Sequence, residues 1–245
     1  VRTISSDVIQ ARAASTIQEV LNTQLNFRFT QDAALGVSTV TMNGLSGQNV
    51  KVLIDGVPMV GRQVTTNATD LSQINVNTIE RIEIIEGPMS VIYGADALAG
   101  VINIITRKAA TEKLVIDLKL QEETVGDEYG IEEGVHNQNV SVRYNWKKFY
   151  TGIDASHNYF GGWQGDSTGR AKQWNPKTQW LGAGLLGFKS DKLDLYYRLD
   201  ALNETITRYG DFISGSAFDQ RYISKRFVNQ VQGEVKLSSR ANFNG

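Results

Sequence analysis

The composition of this 245-residue chain excludes several classes of protein. A formal net charge of -1, without a local block of lysine and arginine, lacks the positive footprint of a general nucleic-acid binder, so no nucleic-acid partner is expected. The absence of cysteine excludes disulfides, thiolate metal sites and a cysteine nucleophile.

The first half of the chain is predicted to form a compact mixed domain. A helix is predicted after Ser15 and Thr16, which are residues that cap helices. Its apolar residues follow a spacing of three and four and form one stripe, namely Ile17, Val20, Leu21 and Leu25. No basic and apolar leader precedes Val1, which predicts a mature or trimmed chain.

Three strands are predicted next. Residues 50–58, VKVLIDGVP, form a buried strand that ends in a turn at Asp55-Gly56, where glycine permits a tight reversal. Residues 79–85 and 101–106 are β-branched runs separated by the turn residues Gly87-Pro88 and Tyr93-Gly94. All apolar runs are far shorter than the roughly 18 residues that a membrane helix needs, so any membrane role requires strands.

From Leu114 the pattern changes to strict alternation of apolar and polar residues, which predicts strands over residues 114–121, 139–146, 193–201 and 230–237. Tight turns at residues 147–148, 189–192 and 238–240 alternate with long polar segments at residues 122–138, 158–179 and 203–226. This pattern indicates a transmembrane β-barrel wall, because the turns are short at one end and the loops long at the other. Two aromatic residues beside a turn, Trp146 and Phe149, agree with it. A soluble sandwich is the alternative.

The first half resembles the plug domain of TonB-dependent outer-membrane receptors. The resemblance covers about residues 1–108 and depends on LIDGVPM at residues 53–59 and on IERIEIIEGPMSVIYGADALAGVINIITRK at residues 79–108. It implies an α+β plug domain, a small mixed sheet with short helices, at residues 1–110. Residues 111–245 would be about six antiparallel transmembrane β-barrel strands, an incomplete fragment of a 22-stranded plugged barrel.

This resemblance implies active uptake of a scarce solute, such as a ferric siderophore, haem or cobalamin, and no enzymatic activity. It implies the outer membrane of a Gram-negative bacterium as the location. The partners would be outer-membrane lipid, a small-molecule chelate, and the TonB energy-coupling complex through a segment before Val1. No cofactor is expected, because a metal would arrive within the transported chelate. A glycan or peptide importer, or a passive pore with a separable periplasmic domain, are alternatives.

Two substrate-binding regions are predicted. The resemblance implies that residues 59–70 belong to an apical plug loop that touches substrate. A plain surface loop is the alternative. The expected apical residues are Gln31, Asp32, Leu35, Met59, Val60, Gly61, Arg62, Gln63, Thr65 and Asn67. Residues 158–177 are predicted to form an aromatic, glycine-rich outer loop. This loop is either an adaptable binding surface or part of an interfacial aromatic belt. Its candidate substrate-binding residues are Tyr159, Phe160, Trp163 and Trp174.

Four residues are assigned to the interface between plug and barrel: Asn43, Arg81, Glu83 and Glu86. The family commonly has an arginine where this chain has Asn43, and a basic residue where it has Glu86. In familiar members those arginines pair with glutamates of the barrel. We therefore expect a basic residue or a hydrogen-bond donor on the wall opposite Glu86, because an unpaired carboxylate there would be costly.

Two sets of residues invite a chemical interpretation. Glu80, Glu83 and Glu86 resemble a catalytic acid cluster, but a spacing of three in a strand places neighbours on opposite faces, which favours structural pairing with Arg81 as a partner. His136 and His157 stand at predicted strand ends, where a metal or haem ligand competes with a solvated loop residue. No catalytic residue and no resident metal site are predicted.

Overall fold

A computed structural model describes residues 1–32, 37–61, 68–108, 110, 112–124, 133–164, 169–238 and 241–244. The chain divides into two compact units, Val1–Arg107 and Lys108–Gly245, here called the N-terminal and C-terminal units. Among the described residues, no helix combines the length and apolar character needed to cross a membrane.

The N-terminal unit is a mixed α+β domain built on two sheets. A five-stranded sheet has the order β1-β7-β8-β5-β6, in which β5 and β8 are parallel and the other pairs antiparallel. The second sheet has the order β2-β3-β4. The elements are β1 (Arg2–Ser5), α1 (Ser6–Ala11), α2 (Ile17–Leu21), β2 (Phe27–Asp32), β3 (Val37–Met42), β4 (Leu45–Ser46), β5 (Val50–Ile54), β6 (Val57–Pro58), β7 (Ile79–Glu86), α3 (Ser90–Tyr93) and β8 (Gly100–Thr106).

The core of this unit lies where helix α2 and both sheets contribute branched aliphatic side chains. The predicted strands at residues 79–85 and 101–106 are confirmed as β7 and β8, and their alternate residues are fully buried. The largest core side chains include Ile17, Leu21, Met42, Ile82, Ile84, Ile102 and Ile104. Burial of such side chains contributes about 1.5–3 kcal/mol each before the entropy of ordering is subtracted.

Helix α2 begins with the predicted cap. The Thr16 hydroxyl accepts a hydrogen bond from the Glu19 amide (3.3 Å), and the Glu19 carboxylate accepts one from the Ser15 amide (2.8 Å). This reciprocal arrangement resembles a capping box. The prediction that Leu25 continues the buried stripe is wrong: the helix ends at Leu21, so the spacing no longer applies, and Leu25 is 96% exposed.

The turn at Asp55-Gly56 is confirmed, and it also joins two strands. Both residues have positive φ, 50° and 82°, as a two-residue hairpin requires. The Asp55 carboxylate accepts hydrogen bonds from the Thr106 amide (2.9 Å) and the Thr106 hydroxyl (2.6 Å). The Asn103 side chain accepts another from the Gly56 amide (3.1 Å). The aspartate therefore fastens the turn to the end of β8.

We expect Asp55→Ala to lower the free energy of unfolding of the N-terminal unit by about 2 kcal/mol, because the buried Thr106 loses two acceptors and alanine disfavours positive φ. Asp55→Asn should cost about half as much, since asparagine tolerates that conformation and keeps an acceptor. Hydrogen exchange of the β8 amides measures both. Equal protection in Asp55→Ala and the unsubstituted protein would contradict this role.

The C-terminal unit is an antiparallel meander. Each strand pairs with the next in sequence, giving the sheet order β15-β14-β13-β12-β11-β10-β9. The strands are β9 (Leu114–Glu123), β10 (Val135–Trp146), β11 (Phe149–Phe160), β12 (Lys177–Lys189), β13 (Leu193–Arg208), β14 (Gln220–Ser238) and β15 (Ala241–Asn244). Six long strands were expected, and the short β15 follows them.

The predicted loop boundaries need correction, because the strands run further than the alternating pattern. Strand β13 continues to Arg208, and β14 begins at Gln220, so the loop predicted over residues 203–226 shrinks to residues 209–219. The loop predicted to begin at Asn158 begins after Phe160. The additional strand residues are largely polar on both faces, so they give no alternation to detect.

The two faces of the sheet differ in exposure in the opposite sense from those of a soluble sheet. The apolar face exposes aliphatic and aromatic side chains on every long strand, for example Leu118 (73%), Ile153 (66%) and Phe227 (71%). The polar face carries paired groups, including Arg143 with Asp117 and Arg198 with Asp200. A soluble sheet with one solvated face would bury its apolar residues, so this arrangement argues against a soluble sandwich and matches a lipid-facing wall.

Candidate substrate-binding loops

The predicted apical residues of the N-terminal unit are only partly described. Leu35, Arg62, Gln63, Thr65 and Asn67 lie outside the described residues.

Gln31 and Asp32 belong to β2, and the structure describes their backbone only. Met59 packs against the core of the unit, and its amide donates to the Val52 carbonyl (2.9 Å). Val60 is 80% exposed, and Gly61 follows it. Within the described part of this set, Val60 is the side chain offered to solvent.

The predicted aromatic residues of the outer loop occupy different environments. Tyr159 and Phe160 lie in strand β11 instead of the loop. Tyr159 stacks on His136 (centroids 5.8 Å apart) and shares the row of the apolar face with it. Trp163 and Trp174 exchange backbone hydrogen bonds of 2.9 and 2.8 Å and form an isolated antiparallel bridge. Tyr159 thus fits the interfacial belt, whereas the two tryptophans remain loop residues.

Arg170 joins two loops of the C-terminal unit, residues 161–176 and 209–219. Its guanidinium donates to both carboxylate oxygens of Asp219 (3.1 and 3.0 Å) and to the Gly210 carbonyl (3.1 Å). It also lies over the rings of Tyr209 (5.5 Å) and Phe212 (5.2 Å). Such bidentate and cation–π contacts order loops more firmly than single contacts do.

One further contact ties the same two loops together, and Lys172 links the first of them to Glu133, just before β10. The Asp211 carboxylate accepts from the Ala171 amide (3.0 Å) and lies so close to Gly169 that a Cβ there would be 2.7 Å from its oxygen. Lys172 bonds the Gly161 carbonyl (2.8 Å) and Glu133 (3.2 Å). This cluster could not be predicted from the sequence, because Arg170 lies 41 and 49 residues from Asp211 and Asp219, and no local pattern marks such pairs.

Beyond Arg170 the second loop ends in an exposed apolar tip. Phe212, Ile213 and Phe218 are all exposed, and residues Ile213 and Ser216 exchange hydrogen bonds around a turn at Ser214-Gly215. Both turn residues have positive φ. The loop cluster therefore combines rigid anchoring with exposed aromatic surface, a combination found in binding sites.

The pH dependence of this cluster follows from Asp219. Its hydrogen bond with Arg170, and then that with the Gly210 amide, lower the pKa of Asp219 below the usual value. A carboxyl with a lowered pKa contributes stability above its ordinary pKa of about 4, and loses it as the pH falls through the lowered value.

We therefore expect the two loops to stay joined at all pH values above about 4 and to separate only below it. Spin labels on Gln173→Cys and Ser216→Cys would report this as a narrow distance distribution that broadens in acid. Arg170→Ala should give the broad distribution at every pH. A distribution that broadens between pH 5 and 8 would contradict the assignment to Asp219.

The three glutamates of β7 form structural pairs. Arg81 donates to Glu83 (2.8 Å) and to Glu80 (3.0 Å), and Asn103 donates to the second oxygen of Glu83 (3.1 Å). These contacts raise the pKa of Arg81, chiefly through Glu83. A register shift between Ile79 and Arg81 lets Arg81 reach glutamates on both sides. The predicted pairing with Arg81 is confirmed for Glu80 and Glu83.

Glu86 and Asn43 have partners within the N-terminal unit. The Asn26 side chain donates to the Glu86 carboxylate (2.8 Å), so a hydrogen-bond donor does satisfy this residue. Asn43 has a φ of 51° in a hairpin turn with Gly44, and its side chain donates to the Ala99 carbonyl (3.5 Å). The expected donor on the wall opposite Glu86 stays a prediction.

The two histidines lie within strands on the apolar face, near the end with the long loops. His136 pairs with Glu122, and His157 donates to the Gln138 side chain (3.0 Å) while stacking on Trp180 (4.1 Å). In the described parts of the chain, no group of three or more histidine, cysteine, aspartate or glutamate side chains is arranged to hold a metal ion.

The architecture defines a class of protein: a small mixed domain followed by a meander whose apolar face is turned to the surroundings. This is the organisation of a plugged outer-membrane barrel. Residues 1–101 match the family model described as the TonB-dependent Receptor Plug Domain. The beginning of the chain therefore matches the plug domain of TonB-dependent receptors.

Solved structures extend this likeness to nearly the whole chain. A ferric enterobactin receptor variant from Pseudomonas aeruginosa, PfeA, in complex with enterobactin, aligns over 96% of this chain and 38% of its own, with 16% identity and a TM-score of 0.69. The siderophore receptor PirA from Acinetobacter baumannii aligns over 96% and 45%, with 16% identity and a TM-score of 0.63. The copper transporter OprC aligns over 92% and 32%, with 14% identity and a TM-score of 0.65.

At these identities the structures establish a common fold and nothing finer. This chain spans about 38% of the length of the enterobactin receptor. Its fold is that of a plug domain followed by part of the wall of a TonB-dependent receptor.

Proposed function

We propose that this chain belongs to an active importer that takes a metal chelate, of the ferric siderophore class, across the outer membrane of a Gram-negative bacterium. The observation that carries this proposal is a plug domain continued by a wall with an apolar outer surface. A plug blocks passive flow, so such a barrel has to be opened by an energy source. The TonB complex, acting on a segment before Val1, would supply that energy.

The loop cluster supports a substrate with planar aromatic groups. Arg170 anchors the loop through Asp219 and lies beside Tyr209 and Phe212, and exposed aromatic side chains continue along the same loop. Exposed rings held in place in this way bind planar groups by stacking. Solved receptors of the same fold include two named for siderophores or their ferric complexes. The metal would arrive within the chelate, and no resident cofactor is involved.

We assign transport and not catalysis to this chain. Glu80 and Glu83 are both paired with Arg81, and Glu86 accepts from Asn26, so each carboxylate of β7 has a structural partner. The loops around Arg170 and the apical residues of the plug, Val60 among them, would both contact the substrate. Outer-membrane lipid would surround the apolar face of the wall.

The test is growth of a deletion strain on single iron sources, complemented with the full-length gene. The expected result is restored growth and uptake of radiolabelled iron with one ferric chelate, abolished when the proton-motive force is collapsed. Arg170→Ala should weaken chelate binding about tenfold, because the loop loses the contacts that hold its exposed rings in place. Arg208→Ala, which removes a cation from the end of β13 outside this cluster, is the matched control.

Other outcomes would redirect the assignment. Uptake that persists without the proton-motive force would indicate a passive pore. Restoration of copper, glycan or peptide uptake, with no ferric chelate transported, would overturn the chelate while leaving active import in place. Equal loss of binding in the Arg170 and Arg208 variants would remove the loop cluster from the substrate site.

A further inference from the structure

The apolar face of the C-terminal unit contains a groove at the end with the tight turns. The groove has a volume of about 520 Å³, and its walls are almost entirely apolar. Its lining includes Tyr144, Trp146, Phe149, Leu186, Phe188 and Tyr197, which come from four neighbouring strands. The volume lies within the range of about 300–1,000 Å³ that is typical of small-molecule sites.

Aromatic rings form the border of the groove next to the turns. Trp146 stacks on Phe149 with centroids 6.3 Å apart, and Phe149 meets Phe188 edge to face at 5.2 Å. Trp146 ends β10, Phe149 begins β11, and Phe188 is the last residue but one of β12, so all three lie beside the tight turns. A belt of this kind lies at the depth where acyl chains meet headgroups.

The turns beside this border are rich in lysine. The turn Lys147-Lys148 and the turn at residues 189–192 are joined by a hydrogen bond from the Lys189 amide to the Lys148 carbonyl (2.7 Å). Together they hold four lysines and one aspartate, Asp191.

The charges of these turns are distributed unevenly. Lys189 already faces Asp194 at 3.7 Å, whereas the Lys147 ammonium lies 5.6 Å from the centre of the Trp146 ring. The Lys236 amide donates to the Lys192 carbonyl (2.9 Å), which brings a further lysine to this edge. The edge is therefore positively charged beside the apolar groove.

We propose that this groove binds one anionic phospholipid of the periplasmic leaflet, with an acyl chain between the aromatic walls and the phosphate against the turn lysines. The inference rests on the proposed placement of the wall in an outer membrane, where short turns face the periplasm. Charge complementarity selects an anionic headgroup, since lysines near a membrane surface attract anionic lipids. Long lysine stems also let the ammonium groups reach the headgroup while the stem covers the rings.

The experiment is native mass spectrometry of the full-length receptor, delipidated in detergent and titrated with phosphatidylglycerol or phosphatidylethanolamine carrying the same acyl chains. We expect one tightly bound phosphatidylglycerol and a preference over phosphatidylethanolamine of roughly tenfold. In Lys147→Gln/Lys148→Gln this preference should fall close to one. In Leu195→Trp, where a larger ring fills the groove, occupancy by both lipids should fall.

The matched control is Arg221→Gln/Lys225→Gln, which removes two positive charges from the opposite end of β14 and should keep the preference. Equal binding of both lipids by the unsubstituted protein would overturn the proposal, as would an equal loss in the control. Binding of a copurified protein at the groove, with no lipid, would also overturn it. Chelate uptake is scored separately: lost uptake with the lipid preference retained would refute the proposed function and leave this site standing.

Discussion

Gly100→Ala is expected to destabilise the N-terminal unit by about 4 kcal/mol, which approaches the whole stability of a small domain. Gly100 begins β8 with a φ of 145°, a conformation that side chains rarely adopt. An added Cβ would lie 2.3 Å from the Ile85 carbonyl oxygen and 2.8 Å from the Met42 methyl carbon. Because Ile85 is in the partner strand β7, relief requires the two central strands of the sheet to separate.

Limited proteolysis of the full-length protein measures this effect. Arg81 lies in β7, so trypsin can cut after it only when the sheet opens, and the Gly100→Ala protein should be cut much faster. Gly56→Ala is the control: it also has positive φ, 82°, but open space around the added Cβ, and should cost only about 1 kcal/mol. Similar cleavage rates in the two variants would show that conformation, and not the close approach, governs Gly100.

Glu204→Ala should lower the free energy of unfolding of the C-terminal unit by about 3 kcal/mol. Glu204 is 2% exposed on the polar face of β13, where it faces the Lys177 ammonium at 3.0 Å and accepts from the Gln179 side chain at 2.6 Å. Truncation removes the carboxylate that faces Lys177, whose side chain is only 15% exposed, and losing one member of such a pair is costly.

A double substitution separates the cost of the lost charge from the value of the pair. Glu204→Leu with Lys177→Met replaces both members by apolar groups and should restore most of the stability. Guanidinium unfolding of the detergent-solubilised protein, followed by circular dichroism, gives the comparison. If the double variant were as unstable as Glu204→Ala, packing of the glutamate stem would explain the loss better than charge.

The parts of the fold that the sequence predicts are those with a strong local period. Strand β7 is buried at about every second position and β8 at most positions, so their runs of isoleucine and valine stand out in the sequence. The alternation from Leu114 likewise marks the wall, because lipid on one side and polar groups on the other impose a period of two. By contrast β1 is four residues long with a single buried side chain, Ile4, and has no detectable period.

The candidate site was much less predictable, since its contacts are long-range. The aromatic residues of the outer loop were visible from composition, but the groups that order it are not neighbours in sequence: Arg170 meets Asp219, and Lys172 meets Glu133 across 39 residues. The same holds for Asp55 and Thr106, which are 51 residues apart. A turn signal such as Asp-Gly predicts the reversal of the chain, and says nothing about what the carboxylate will bind.

The length of the β13 and β14 pair has a consequence for antibodies and other large molecules outside the cell. The two strands pair over 16 residues, whereas about 9–11 tilted residues cross a membrane. The surplus of about five residues, close to 17 Å of strand, falls at the end away from the aromatic border. In the proposed membrane placement, the Ser214-Gly215 turn is then the outermost epitope of this hairpin. A peptide tag inserted there would be stained on living cells without permeabilisation.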